Sequence, residues 1–238
     1  MLNPPRRRTA ADEAELALFQ AIMEGAIPPG APLRLQDLAN QLDMSMMPIR
    51  EALRRLQSLG LVEIVAHKGA WVRPLTLEDL FDTYFARLHL EGLALATAAP
   101  RFGDEDAAVA RGALEEKRVA DQRGDLIASR DAHERFHFAL YTASGSTWLV
   151  RSIQPVWRNS ERYRVESMRN AEHVAARDAE HTAMLAALEA HDGVGALTAL
   201  VSHLRSSVDL VSETVSGDGG ATMELPSLEA VVEFAGAN

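Results

Sequence analysis

The chain contains no cysteine, which excludes both disulfide cross-links and thiolate metal sites. Aromatic residues make up only 5% of its 238 positions, so a core has to be built mainly from aliphatic side chains. No apolar run approaches the roughly 18 residues that a bilayer span requires. The basic start, Met1 to Arg8, lacks the apolar stretch of a secretory signal. A cytoplasmic protein with no membrane contact is the expectation. The length allows one large or two modest domains with a sizeable core. The net charge of −10 argues against a nucleic-acid partner until it is divided along the chain. Residues Met1 to Leu75 hold 9 Lys+Arg against 8 Asp+Glu, and the remainder holds 15 against 26. The acidity therefore lies outside the first third, and the argument from overall charge fails.

Within that first third, Leu35 to Val72 carries the clearest pattern. Leu35, Leu38 and Leu42 recur at helical spacing, and Ser45 is placed to cap a second helix. There Ile49, Ala52, Leu53 and Leu56 share one apolar face, while Met46, Arg50 and Arg54 share another. Gly60 ends the helix. Val62, Ile64, Ala70 and Val72 then alternate around His67-Lys68-Gly69, a hairpin tip with a glycine where positive φ is easiest. Two short helices with outward cations, followed by a basic hairpin, outline a winged helix-turn-helix that fits the major groove. Arg50 and Arg54 are the candidates for base contacts, together with Ser45, Met46, Met47 and Gly69, whereas Arg34 and Lys68 suit phosphates. Arg55 is expected to pair with Glu51 at i, i+4. Arg6, Arg7 and Arg8 form a basic arm or a plain solvated tail.

These residues resemble the DNA-binding domain of the GntR family of bacterial transcription regulators. The likeness runs from Ile22 to Val72 through Ile27-Pro28-Pro29-Gly30, Leu38-Ala39, the run from Pro48 to Leu56, Gly60-Leu61-Val62 and Gly69-Ala70. The chain departs from the family at Met46 and Met47, where the family has Arg and Thr. The resemblance therefore implies an operator preference that differs or specific binding that is weaker.

Beyond Pro74 the pattern is helical throughout. Six amphipathic segments are expected: Leu77 to Ala98, Asp104 to Gln122, Asp125 to Ala143, Thr147 to Glu166, Glu172 to Ala190 and Val194 to Thr214. Short breaks between them favour an antiparallel bundle. Thr76-Leu77-Glu78-Asp79 reads as a capping-box-like start with Asp in place of Glu, and Pro155 should kink or interrupt its helix. The fold class is thus mainly α. A winged helix-turn-helix with a small β-hairpin occupies residues 1–75, a six-helix bundle 76–215, and a tail 216–238.

His133 and His137, at i, i+4, lie on one helix face, and His181 and His203 fall within two further helices amid leucines. Four imidazoles so placed can surround one divalent ion such as zinc, nickel, cobalt or iron, although core histidines satisfied in other ways are commoner. Residues Thr76 to Thr214 resemble the FCD domain, the ligand-sensing domain of the FadR subfamily of GntR regulators. The likeness rests on Arg87 and Glu91, Phe136-His137, Ala143-Ser144-Gly145, Glu180-His181 and His203-Leu204. It implies a metal held by His137, His181, His203 and, in place of the family's Asp, His133, with zinc or nickel the first choices. It also implies that Arg87 meets the carboxylate of a small organic-acid effector, with Arg158 and Arg162 as weaker candidates; an Arg87–Glu91 ion pair at i, i+4 is the plainer alternative.

The expected function is a ligand-responsive, DNA-binding transcription regulator, a repressor released by a small carboxylate bound near the metal. It would act as a homodimer on a pseudo-palindromic operator. The rival from another class is a helical metalloenzyme using the same four histidines, suggested by Glu134-x-x-His137. Its weakness is that Asp178-x-x-His181 is only an imperfect second copy.

Overall fold

The computed structural model describes residues 8–167 and 171–216, with side chains defined for 8–164 and 177–212. Arg6 and Arg7 of the basic arm, the tail from 217 and the side chain of His173 lie outside the described residues.

The chain opens with α1 (Ala10–Met23), capped by Thr9 and Asp12 in a reciprocal capping box. Helices α2 (Leu35–Gln41) and α3 (Met46–Ser58) follow, then the antiparallel strands β1 (Val62–Val65) and β2 (Gly69–Val72). The periodicity dictates the packing, since Ile49, Ala52, Leu53 and Leu56 are buried with Leu18, Leu38, Leu61 and Val72 in one core. The chain before α2 lies along β2, with Leu33 N–H donating to Ala70 C=O at 2.7 Å and Val72 N–H to Ala31 C=O at 2.9 Å. At the hairpin tip the left-handed conformation is shared by Gly69 (φ 127°) and the non-glycine His67 (φ 62°).

Six longer helices form the second unit: α4 (Leu77–Ala98), α5 (Asp104–Arg123), α6 (Leu126–Thr142), α7 (Thr147–Ser167), α8 (Ala171–Glu189) and α9 (Gly193–Ser216). Their core is built largely from leucines and alanines, with Leu80, Leu88, Leu95, Leu140, Leu188, Leu200 and Leu204 fully buried, and it takes in Trp157, Tyr84, Tyr141, Tyr163 and Phe136 as well. Helix α5 packs along α6, α8 along α9, and α4 against both α7 and α9. No helix of the described residues is long and apolar enough to cross a membrane.

Three local expectations need correction. Ser45 does occupy the cap position of α3, but its side chain makes no capping bond. A cap oxygen bonds the N–H of the second or third helical residue, and the third here is Pro48, which has none. Thr76 accepts the Asp79 N–H at 3.1 Å, but Asp79 does not return to the Thr76 backbone; that N–H meets the Tyr163 hydroxyl at 3.3 Å instead. Pro155 does not interrupt its helix, since α7 continues through it. Pro155 and Arg151 lie on the exposed face, where the carbonyl that proline leaves unbonded can be solvated.

Asp79 joins the two units. It accepts from the Tyr163 hydroxyl at 2.8 Å and from Asn159 Nδ2 at 3.0 Å, and it pairs with Arg73 at 3.4 Å. Arg162 donates to Asn159 Oδ1 at 3.1 Å and to the Arg73 carbonyl just after β2. We expect Asp79→Ala to take one acceptor from each of the buried Asn159 and Tyr163 and the partner from the exposed Arg73, at a cost of about 1–3 kcal/mol. Urea unfolding checks this, and a midpoint equal to that of the parent protein would refute it.

Candidate functional site

Two regions carry chemistry. The first is the outer face of α3 and the hairpin. With the apolar stripe of α3 committed to the core, Arg50 and Arg54 are left exposed on its far side, where they line a groove with Arg34, His67, Lys68 and Trp71. Met46 and Met47 stand exposed at the first turn of α3. A side chain at Gly69 would need an unfavourable φ and would meet the Trp71 ring at 3.5 Å. Arg55 behaves as its spacing predicts: it bonds Glu51 at 3.2 Å, and also Asp12 at 2.7 Å and Glu15 at 3.2 Å on α1. Those contacts anchor α3 to α1 and remove Arg55 from the cationic face.

The second region is the centre of the bundle. His133 and His137 on α6 meet His181 on α8 and His203 on α9, and one ring nitrogen from each lies within 4.8 Å of the others. All four are buried. Burial first, and then neighbouring positive charge, holds each imidazole well below its usual pKa, so each is neutral, the form that ligates metals.

Two rings are oriented from behind. His137 Nδ1 lies 3.0 Å from the Tyr141 hydroxyl, which donates to Glu91 at 2.7 Å. His203 Nδ1 lies 2.9 Å from Glu180, which Ser206 also bonds at 2.8 Å. The nitrogens left over are buried without a partner: His133 Nδ1, His137 Nε2 and both nitrogens of His181. Inward imidazole nitrogens held by outer carboxylate and hydroxyl partners are what a histidine-ligated metal requires, so the donor set fits a divalent ion.

Positive charge surrounds the cluster. The cavity beside it is about 10 Å³, room for a single water or ion, and is lined by Tyr84, Arg87, Lys117, Arg164, Arg177 and Ser207 along with three of the histidines. Arg87 is 2.6 Å from Glu91, and its guanidinium lies 4.7 Å from the Trp157 ring centre. Burial works most strongly against the Arg87 cation, but the charge and hydrogen bond of Glu91, together with Tyr84 and Tyr141, outweigh it. Lys117 bonds Asp121 at 2.7 Å and Asp178 at 2.8 Å, and Arg164 bonds Glu161 at 2.7 Å.

The other two arginines named from sequence are not in this cavity. Arg158 pairs with Glu134 at 2.9 Å and lies over Phe19 of α1, while Arg162 serves the junction at Arg73. The turn of α7 explains this, because Trp157, Glu161 and Arg164 face the bundle, and Arg158 and Arg162 follow their neighbours by 100°. Three cations at the cavity were missed. Arg177 lies four residues before His181, on the same face. Lys117 falls in the buried stripe Ala107, Ala110, Leu114, Ala120, and a lysine at an apolar position is itself a signal. Arg164 had only its spacing from Trp157 to betray it. Glu134 and Asp178 point to Arg158 and Lys117, and the cluster itself contains only imidazoles. His67, His89 and His191 stay apart from it; the last two bond backbone carbonyls at 2.8 Å.

Comparison with known proteins agrees with this division. The family described as "Bacterial regulatory proteins, gntR family" matches residues 10–72, and the FCD domain matches residues 82–206. The chain is 26% identical over 205 residues to the HTH-type transcriptional repressor GlaR of Escherichia coli K12, covering 83% of this chain and 93% of that protein. It is 34% identical over 146 residues to the probable D-xylose utilization operon transcriptional repressor of Paenarthrobacter nicotinovorans. That alignment covers 61% of this chain and 64% of the relative, just under two thirds of its length. The solved structure of E. coli McbR/YncC superposes with a TM-score of 0.75 at 25% identity, covering 87% of this chain and 99% of that one.

Arg87 cannot serve as a neutral probe of ligand contact, because its loss leaves the fully buried Glu91 charge without its cation. We expect Arg87→Ala to destabilise the protein by about 3–5 kcal/mol. Chemical unfolding reads this directly, and an unchanged midpoint would refute the ion pair.

Proposed function

We propose that this chain, which belongs to the GntR family of bacterial regulatory proteins and carries an FCD domain, is an operator-binding repressor released when an anion joins a metal in its helical bundle. By family it is a transcription regulator and not an enzyme. The repressor role follows the two relatives named above, both described as repressors. A homodimer on a pseudo-palindromic site suits a motif that reads only a half-site.

The observation that carries the proposal is the convergence of four buried histidines, three of which, His133, His137 and His181, keep ring nitrogens without a partner. His133, His137, His181 and His203 would hold the ion, with zinc or nickel the best matches to an all-imidazole set. A bound ion would supply a Lewis-acidic position for a carboxylate oxygen. The chain's own residues set the charge around it. Four neutral ligands leave the ion's charge uncancelled, so the cavity favours an anion; of the cations lining it, Arg87, Lys117 and Arg164 are already paired, with Glu91, with Asp121 and Asp178, and with Glu161, and an anion would compete with those carboxylates. Because the cavity has space for only one water or ion, an organic acid must displace side chains to enter. Those side chains sit on α4, α5, α7, α8 and α9. Helices α4 and α7 also carry Asp79, Asn159, Arg162 and Tyr163 at the junction, so an altered bundle changes the placement of the DNA-binding unit. This is a population shift between states, not chemistry.

The test uses untagged protein. Elemental analysis is expected to find one divalent ion per chain after reconstitution, and chelation should lower the melting temperature, because an ion bound only to the folded state stabilises it. Calorimetry with acetate, malonate and succinate should find at least one that binds the metal-loaded protein and binds more weakly when operator is present. Linkage makes the two effects equal. No metal after loading with zinc, nickel and manganese would overturn the site. Equal ligand affinity with and without operator would overturn the coupling.

A further inference from the structure

Resting on the reading that α3 enters the major groove, the first turn of α3 has a property that the arginines do not explain. Met46 is 46% exposed and Met47 71% exposed, the latter exceeded among the exposed large hydrophobic residues only by Trp148 at 77%. They belong to neither core. The rest of the α3 apolar stripe is buried, with Ile49, Ala52, Leu53 and Leu56 at 2% exposure or less. The two methionines instead stand on the cationic side. Met46 is one turn before Arg50 and two before Arg54, the arginines that line a groove with Arg34 and Lys68, so the methionines stand at the helix start just before that groove.

A core function, then, is excluded by exposure, and the surrounding positive charge matches a phosphate backbone. The N-terminal residues of a groove-bound helix are the ones that reach base edges. A methionine offers those edges no hydrogen-bond donor and only a weak acceptor, so it cannot read guanine, adenine or cytosine by their polar groups. One apolar group exists in the major groove, the C5-methyl of thymine. The thioether is unbranched and polarisable, able to settle against that methyl without a demanding geometry.

We propose that Met46 and Met47 read thymine methyl groups, and that this regulator therefore selects T·A pairs at the operator positions under the start of α3. The flanking arginines supply phosphate and guanine contacts, while the methionine pair sets an apolar, A·T-directed preference between them.

The test begins by enriching binding duplexes from a random library with the full-length protein at fixed salt. In the enriched site each thymine is then replaced singly by deoxyuridine, which removes only the C5-methyl. At one or two thymines per half-site the wild-type protein should lose affinity about fourfold, the value of one buried methyl. The double variant Met46→Gln, Met47→Gln keeps its fold, since both side chains are exposed, and an unchanged melting curve confirms that. It should bind the thymine and uracil duplexes equally. Equal binding by wild type at every thymine overturns the proposal, as does a double variant that keeps the wild-type discrimination. If no sequence is enriched at all, the operator reading falls and this proposal falls with it, an outcome distinct from enrichment without methyl dependence.

Discussion

Burying four imidazoles together, three of them with unbonded ring nitrogens, is the constraint on which the bundle turns. Each unpaired nitrogen loses its hydrogen bond to water and gains nothing from the protein, at about 1–3 kcal/mol apiece. An aliphatic core could fill the same space without that cost. The sequence nevertheless places His133, His137, His181 and His203 on three helices that converge, and it provides Tyr141–Glu91 and Glu180 to hold two of the rings from behind. Arg87, Lys117, Arg164 and Arg177 then close around them. Such an arrangement makes physical sense when something else satisfies the inward nitrogens. Under the proposed function a bound cation would do so, and its uncancelled charge would draw an anion to the cavity.

The same helices carry the connection to DNA. On α4, Asp79 lies two turns before Arg87, so the junction and the cavity share one rigid element. On α7, Arg164 lines the cavity, with Trp157 stacked on His133 and Glu161 bonded to Arg164 on the same inward face, while Asn159, Arg162 and Tyr163 face the junction, an alternation set by helical geometry. Arg162 reaches the carbonyl of Arg73, immediately after β2. Under the proposed function, a displacement of α7 by a ligand too large for the cavity would act on the hairpin through these short links, without a long pathway of side chains.

Much of this was legible in the residues. The bounds of α4 agree with the reading to the residue, because Thr76 caps its start and Ala99-Pro100 ends it. The histidine quartet was legible because i, i+4 spacing and the leucine-rich settings of His181 and His203 are local signals. Arg158 and Arg162 were misplaced because a step of one residue on α7 turns a side chain by 100°, and only the packing of α1 against α7 shows which face is inside. Lys117 was missed since its partners, Asp121 and Asp178, lie 4 and 61 residues away; the second relation exists only in three dimensions. The silent Ser45 cap was readable in principle from Pro48. The exchange of Thr76's partner from Asp79 to Tyr163 was not, because 87 residues separate the bonded groups.

The most direct test of the account is X-ray absorption at the metal edge of the reconstituted protein. It predicts a first shell dominated by nitrogen, with outer-shell scattering from four imidazoles, and a light oxygen contribution added when a binding carboxylate is present. A bound metal without imidazole scattering, or with the same spectrum in His137→Ala as in the parent chain, would contradict it.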